Sequence, residues 1–435
     1  MRRVGIRRED KDIWEARVPL VPRDVERLVR EERMALTVQP SARRVFSEDA
    51  FAGAGALVDE DLSACQIVLA VKEIPTAFFR PHATYVFFSH THKGQAYNMD
   101  MLRRMMELGC SLIDYECITD DQGVRLIAFS RFAGIAGAVD ALWALGLRLD
   151  WEGIEPNPFA ALHPTHVYGS LDAVLAAVHE AGARIGTLGL PRALQPFVVG
   201  VTGYGRVAQG AQEVIDALGA VDLAPDELHT LATAQAARDT VYKSVFHERD
   251  MVQPKDAARP FDLEEYLHHP ELYRSIFARW LPMLSVLING VYWDESYPRL
   301  ITKADIGELW ARQRRPRLAV IGDISCDLEG SIEITVKETH CGQPCYVVDP
   351  QSGAVSDGVG GVGPVVLSVG NLPCEVSREA SEAFSAVLSG FMPALVQADL
   401  TRPYDQLELP PELKRALILQ GGELTPDYAY MSKFV

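Results

Sequence analysis

PFVVGVTGYGRVAQGAQEVIDALGA, residues 196–220, places an apolar run, a glycine turn and an amphipathic stretch in that order. The run reads as a buried strand, and the stretch after it, apolar at helical spacing, as a helix. Between them Gly203, Tyr204, Gly205, Arg206, Val207 and Ala208 fit the dinucleotide fingerprint, with alanine at the third small position. Gly203 permits the tight turn, Gly205 lets a pyrophosphate approach the backbone, and Ala208 lets the helix pack close to its strand. The helix N-terminus then turns N–H groups and a positive dipole toward the anion. An acid closing the next strand would bond the ribose diol. Asp222, in AVDLAPDEL (220–228), is the candidate, although Ala224 is an equally good register and no arginine stands there for a 2′-phosphate.

On the N-terminal side, short apolar runs alternate with helical periods. MRRVGIR, ALTVQP, IVLAV (67–71), TYVFFS (84–89) and SLIDYE (111–116) read as strands; Pro22 to Arg33 and Asn98 to Leu108 read as helices. That alternation predicts a parallel, doubly wound sheet, with functional residues at the carboxyl ends of its strands. Residues 132–147 read as a helical connector. Ser170 to Ala183 reads as a helix, and Asp222 to Pro282 as helical and charged. Strands return at VLING (286–290), LAVIGDIS (318–325) and PVVLSVGNLP (364–373). Ser377 to Leu388 reads as a helix returning to the first domain, ended or bent by Gly390 and Pro393.

The chain has 435 residues, a size for two or three domains. With 42 Lys+Arg against 59 Asp+Glu its formal charge is −17, which disfavours nucleic acid as a partner. No stretch of about twenty uninterrupted apolar residues suggests a membrane helix, and MRRVGIRRED lacks the apolar core of a signal peptide. A cytoplasmic protein is the expectation. Seven scattered cysteines indicate reduced thiols, and His340-Cys341 with Cys345 lacks the second pair that a structural zinc site needs, so no metal is expected.

The polar strand ends gather Glu15 and Arg17, Lys72 and Glu73, His90, His92 and Lys93, Glu116, and Arg125. Lysine and histidine are the side chains whose pKa values environment can move toward neutrality, and Glu73 and Glu116 are placed to tune them. Arginines hold carboxylates in bidentate geometry.

Several segments together resemble the lysine-ketoglutarate reductase domain of aminoadipate-semialdehyde synthases, in the lysine-forming saccharopine dehydrogenase and alanine dehydrogenase family. They are EARVPL (15–20), AVKEIP (70–75), FFSHTHKGQ (87–95), SLIDYE (111–116), AFSRFAGIAG (128–137), TGYGRVAQGAQE (202–213), LINGVYWDESYPRLIT (287–302), GDISCDLEGSIE (322–333), VGNLP (369–373) and LTPDYAY (424–430). The resemblance implies an α/β protein of two Rossmann-like, doubly wound parallel-sheet domains with the active site in the cleft between them. The substrate domain would be discontinuous, residues 1–133 plus 375–435, and the dinucleotide domain 134–374. It implies Lys72 and His90 as an acid–base pair tuned by Glu73 and Glu116, and Arg17, Lys93 and Arg125 as holders of substrate carboxylates. Asp323, Asp327, Asn371 and Leu372 match segments near the nicotinamide. His92 has no matching role. The implied reaction joins L-lysine to 2-oxoglutarate as saccharopine, or runs in reverse, with NADP(H) favoured and NAD(H) admitted; a homo-oligomer is also admitted. Two alternatives stay open: an imine-reducing enzyme using another amine or ammonia, and a non-catalytic dinucleotide sensor.

Overall fold

The computed structural model describes residues 3–233 and 237–435, so the first two residues of MRRVGIR and residues 234–236 of the middle segment lie outside it. The chain forms two units, Met1–Phe129 with Ser377–Val435, and Ser130–Val376.

The first unit is built on β1 (Arg3–Ile6), β2 (Ala35–Val38), β3 (Leu57–Val58), β4 (Ile67–Leu69), β5 (Thr84–Phe87) and β6 (Ser111–Asp114). All pair in parallel, in the order β6-β5-β4-β1-β2-β3, and the returning strands Leu417–Gln420 and Glu423–Leu424 add antiparallel beyond β6. Residues of β4, β5 and β6 are buried throughout, which is why they read as continuous apolar runs rather than alternating ones. The helix Ser377–Gln397 continues past Gly390 and Pro393 rather than ending there. A stripe of serines four residues apart fastens it. Ser381 Oγ accepts from Val18 N–H (3.0 Å), Ser385 Oγ accepts from Val21 N–H (3.0 Å) and donates to Asp24 (2.6 Å), and Ser389 Oγ accepts from Arg27 (2.9 Å). These bonds hold the segment that carries Arg17, and they outweigh the one backbone hydrogen bond that Pro393 removes.

The second unit is built on β7 (Phe197–Thr202), β8 (Val221–Asp222), β9 (Val241–Phe246), β10 (Val252–Pro254), β11 (Tyr273–Ser275), β12 (Val286–Asn289), β13 (Val320–Asp323), β14 (Cys345–Val348), β15 (Val355–Asp357) and β16 (Val365–Leu367). Its main sheet runs β15-β14-β16-β13-β12-β7-β9-β8, antiparallel only at β14 and β15, while β10 and β11 form a separate ribbon. The segment expected to be helical after Asp222 therefore supplies one strand, β9, to the main sheet and both strands of the ribbon. The charged alternation of VYKSVF masks a strand, because Lys243 is buried only through its pairing with Asp216 (2.5 Å) and Asp222 (3.0 Å). The helix Ser130–Glu152 is long and apolar enough by composition to cross a membrane, but 83% of its apolar window is buried inside the protein.

That helix also carries a buried acid. Thr165 donates both its N–H and its hydroxyl to Asp140 Oδ1 at 2.8 Å, and His166 N–H donates to Glu375 Oε2 at 3.2 Å. Burial raises both carboxyls, Glu375 from the ordinary 4.5 to about 7. Between those pH values the folded protein keeps a proton that the unfolded chain has released, so stability falls as pH rises through this window. For Glu375 the loss is about 3 kcal/mol once pH exceeds 7. Thermal unfolding followed from pH 5 to pH 8 should show a falling Tm, and Glu375→Gln should flatten the fall; a Tm rising across this range would contradict the buried protonated acid.

Candidate active site and dinucleotide fold

In the first unit the carboxyl ends of four adjacent strands converge. Just past β1 lies Glu9, past β4 Lys72 and Glu73, past β5 Ser89 and His90, and at the end of β6 Asp114 and Glu116. Glu9 is buried, and its two oxygens accept the backbone N–H groups of Val71 (2.7 Å) and Lys72 (3.0 Å), which fixes the residue that carries the lysine. Burial lifts the Glu9 carboxyl to about 7, helped by the charge of Glu15 and opposed by those two amides. Glu9 went unmarked in the sequence even though it follows the first strand. The rule that singled out the other strand ends applied to it equally.

Burial, then the charge of Arg17, holds the Lys72 ammonium below the usual lysine range, against the pull of Glu15 and Glu73. Arg17 is itself buried, its Nε 2.7 Å and Nη2 2.5 Å from the Glu15 carboxylate, and its guanidinium lies 4.2 Å over the Phe129 ring. Glu15 therefore belongs to the site as the partner that orients Arg17. Nearby, Val45 N–H donates to Ala16 O (2.9 Å) and pins the loop that bears Arg44. The Arg44 Nη groups are buried without a hydrogen-bond partner among the described residues, and burial lowers this guanidinium to about 10.

His90 Nδ1 lies 2.8 Å from Glu73 Oε1. Burial works to raise the Glu73 carboxyl, but hydrogen bonds from His90 and Lys11 outweigh it and hold Glu73 at about 2. An ionised Glu73 can only accept, so the proton of neutral His90 sits on Nδ1 and Nε2 is left as the working nitrogen. His90 has a φ of 50°, in the left-handed region, where a histidine is strained. The surroundings enforce it. Ser89 N–H and hydroxyl bond the fully buried Asp114 (3.0 and 2.5 Å), and Asn98 Nδ2 donates to the Ser89 carbonyl (2.9 Å).

Glu116 gathers the cations. Arg125 and Glu116 are in direct contact, Lys93 Nζ lies 3.5 Å away and His92 Nδ1 3.7 Å away. Burial pushes the Glu116 carboxyl up, but Arg125, His92 and Lys93 bring it below its ordinary value. The sequence-predicted residues of this unit thus form two groups, Arg17-Lys72-Glu73-His90 and Lys93-Glu116-Arg125, with His92 attached to the second.

In the second unit β7 ends at Thr202, Gly203 turns at a φ of 81°, and Gly205 begins the helix Arg206–Ala217 with no side-chain cap. A methyl group on Gly205 would meet nothing within 4 Å, so the approach to the helix N-terminus is open. Ala208 is fully buried. Thr202 Oγ1 donates to Asn289 Oδ1 (2.6 Å), and Asn289 Nδ2 donates to Asp323 (2.8 Å), tying together the edges of β7, β12 and β13. Asp323 also accepts from Ser325 (2.7 Å) and Thr335 (2.5 Å), so this fully buried acid braces the sheet edge. Asp327 and Asn371 are half-buried, and Leu372 is buried in the turn of helix that starts at that residue. These features fit a dinucleotide: an uncapped helix end, an open face over Gly205 and a rigid strand edge. Asp222 does not join them, being opposite Lys243, which is level with Val199 rather than with the end of β7. Cys341 and Cys374 lie with their sulfurs 3.5 Å apart, and no cluster fit to hold a metal occurs among the described residues.

One doubly wound unit with a dinucleotide fingerprint and another whose strand ends carry a lysine, a histidine and paired carboxylates define an α/β protein of two Rossmann-like units. Residues 5–136 match the alanine dehydrogenase/PNT N-terminal domain family. The proteins the chain resembles in sequence are alpha-aminoadipic semialdehyde synthases and lysine-forming saccharopine dehydrogenases. It is 36% identical to the alpha-aminoadipic semialdehyde synthase of Arabidopsis thaliana, over 99% of this chain and 41% of that protein. It is 33% identical to the mitochondrial synthase of Bos taurus, over 99% of this chain and 47% of that protein. The chain thus spans somewhat less than half the length of these two relatives. With a saccharopine dehydrogenase [NAD(+), L-lysine-forming] of Emericella nidulans it shares 27% identity, over 91% of this chain and 92% of that enzyme. Among solved structures, an L-alanine dehydrogenase superposes with a TM-score of 0.62 at 16% identity, covering both chains completely, which supports the fold.

Proposed function

We propose that this chain catalyses the reductive condensation of L-lysine with 2-oxoglutarate to saccharopine, or the reverse reaction, with Lys72 and His90 as the acid–base pair. The observation that carries the reading is the pairing at adjacent strand ends: a lysine held below its usual range by burial, beside a histidine whose Nδ1 is fixed by an ionised glutamate. The coenzyme, a nicotinamide dinucleotide, supplies or accepts the hydride. The resemblance favours NADP(H), whereas the Emericella nidulans relative is a saccharopine dehydrogenase [NAD(+), L-lysine-forming].

The lysine substrate arrives as an ε-ammonium and must lose a proton before its nitrogen can attack the keto carbon. Lys72, whose ammonium form burial disfavours, takes that proton when in its amine form. The resulting carbinolamine expels water only when its hydroxyl is protonated; the proton taken by Lys72 returns through His90, which accepts it at Nε2 and donates it from there. Glu73 stays anionic throughout, so it stabilises the imidazolium without competing for the proton. Arg125 and Lys93, held by Glu116, and Arg17, held by Glu15, present cations to the substrate carboxylates. Pre-paired in this way, they lose less side-chain freedom on binding.

Incubation with L-lysine, 2-oxoglutarate and NADH or NADPH, with the product identified by mass, tests the reading. Saccharopine is the expected product. Turnover only with ammonia and pyruvate, or with another amine and no saccharopine, would overturn it.

A further inference from the structure

In a mononucleotide-binding sheet, the strand beside the fingerprint strand carries its closing acid to the adenosine ribose. Order along the chain would make that strand β8. Hydrogen bonding makes it β9, which pairs with β7 over its whole length, Phe197 with Val241 through Thr202 with Phe246. The strand β8 lies outside, at the sheet edge. Asp222 therefore stands three strand positions short of the edge, about 10 Å back at 3.3 Å per residue. It is also held by Lys243 at 3.0 Å.

What reaches the edge is the segment after β9. Gly203 N–H donates to Phe246 O at 2.9 Å, so His247 and Glu248 emerge directly beside the fingerprint turn. The His247 ring stacks on Tyr204, with centroids 4.7 Å apart and planes at 21°. Glu248 opens the short helix Glu248–Met251 and faces the Tyr204 phenol, whose titration its charge raises. The corner is rigid: Asp250 accepts from His247 N–H (3.0 Å), and Trp280 Nε1 donates to the Asp250 carbonyl (2.8 Å). Arg249, one residue on and exposed, does not share the face of Glu248.

We propose that Glu248 accepts the adenosine ribose hydroxyls of the bound dinucleotide and so makes this chain selective for NAD(H) over NADP(H). The inference rests on the dinucleotide reading above and replaces Asp222 in it. A carboxylate suits a diol, whose two hydroxyls donate to it, and repels the two negative charges of a 2′-phosphate. At about 4 Å in water-like surroundings that repulsion weakens binding roughly 30-fold, less at high salt.

The test is direct binding, read as energy transfer from tryptophan to NADH or NADPH in fluorescence titrations of the full chain without substrates. Wild type is expected to bind NADH more tightly than NADPH by roughly 30-fold at low salt. Glu248→Gln should narrow that ratio, Glu248→Arg should invert it, and Asp222→Asn should leave it where it is. Equal affinities in wild type, or a preference that Glu248→Arg leaves unmoved while Asp222→Asn shifts it, would overturn the assignment of Glu248. Binding of neither coenzyme would instead remove the dinucleotide reading itself.

Discussion

Lys72→Met should lower kcat by about 10²–10⁴-fold, the usual contribution of a positioned acid or base, while leaving coenzyme affinity unchanged. Methionine keeps the length and volume of the stem, so the backbone clamp from Glu9 to the amides of Val71 and Lys72 survives. What disappears is the amine proposed to take the substrate proton. The side chain's burial supplies a second, independent readout. The folded-state pKa of Lys72 is depressed. Above that depressed value and below the unfolded one, the unfolded chain holds a proton that the folded state lacks, so this lysine costs stability, most at low pH. Removing it should leave Tm equal or higher at neutral pH. A loss of activity with unchanged or raised Tm then identifies a chemical role, whereas near-normal kcat would sink the assignment. His90→Gln should resemble Lys72→Met in rate, because neither residue alone can both take and return the proton.

How the site could be read from sequence depended on how local each feature is. The glycine turn, the VKE and SH strand ends and the buried runs around them are determined by neighbours a few residues apart, and the structure sets them where the pattern implies. Glu9 was legible by the same rule but hidden among the charges of RRED, where burial cannot be read from composition. Glu248 was not legible. Its place follows from which strand hydrogen-bonds to β7, and an edge strand intervening in the chain defeats any count of residues from the fingerprint. The extent of the helix through Pro393 depended on serine contacts with a segment more than three hundred residues earlier, which no local pattern encodes.

Two glycines of the fingerprint segment should separate packing from ligand approach. Gly210→Ala would place its methyl group in overlap with the Arg131 carbonyl oxygen, and Gly134, across the same crossing, stands equally close to the Val207 carbonyl. Both obstacles are backbone, so no rotamer change relieves them and the helices Ser130–Glu152 and Arg206–Ala217 must part. Alanine's better helix propensity returns about 1 kcal/mol, against overpacking that costs about 1–3 kcal/mol. Because the obstacle is rigid, the cost wins: Gly210→Ala should lower Tm by several degrees and weaken NADH binding as the fingerprint helix shifts. Gly205→Ala differs in kind. Its φ of −70° suits alanine and its methyl group meets nothing within 4 Å, so the fold should be undisturbed apart from a weaker N-cap. That empty space is where the pyrophosphate must come, so NADH affinity should fall about tenfold or more, one lost close contact to a charged group being worth about 1.5–3 kcal/mol. Near-normal Tm with weak binding for Gly205→Ala, beside a lowered Tm for Gly210→Ala, is the expected pair. Unchanged NADH affinity in Gly205→Ala would mean that no phosphate sits over the start of this helix.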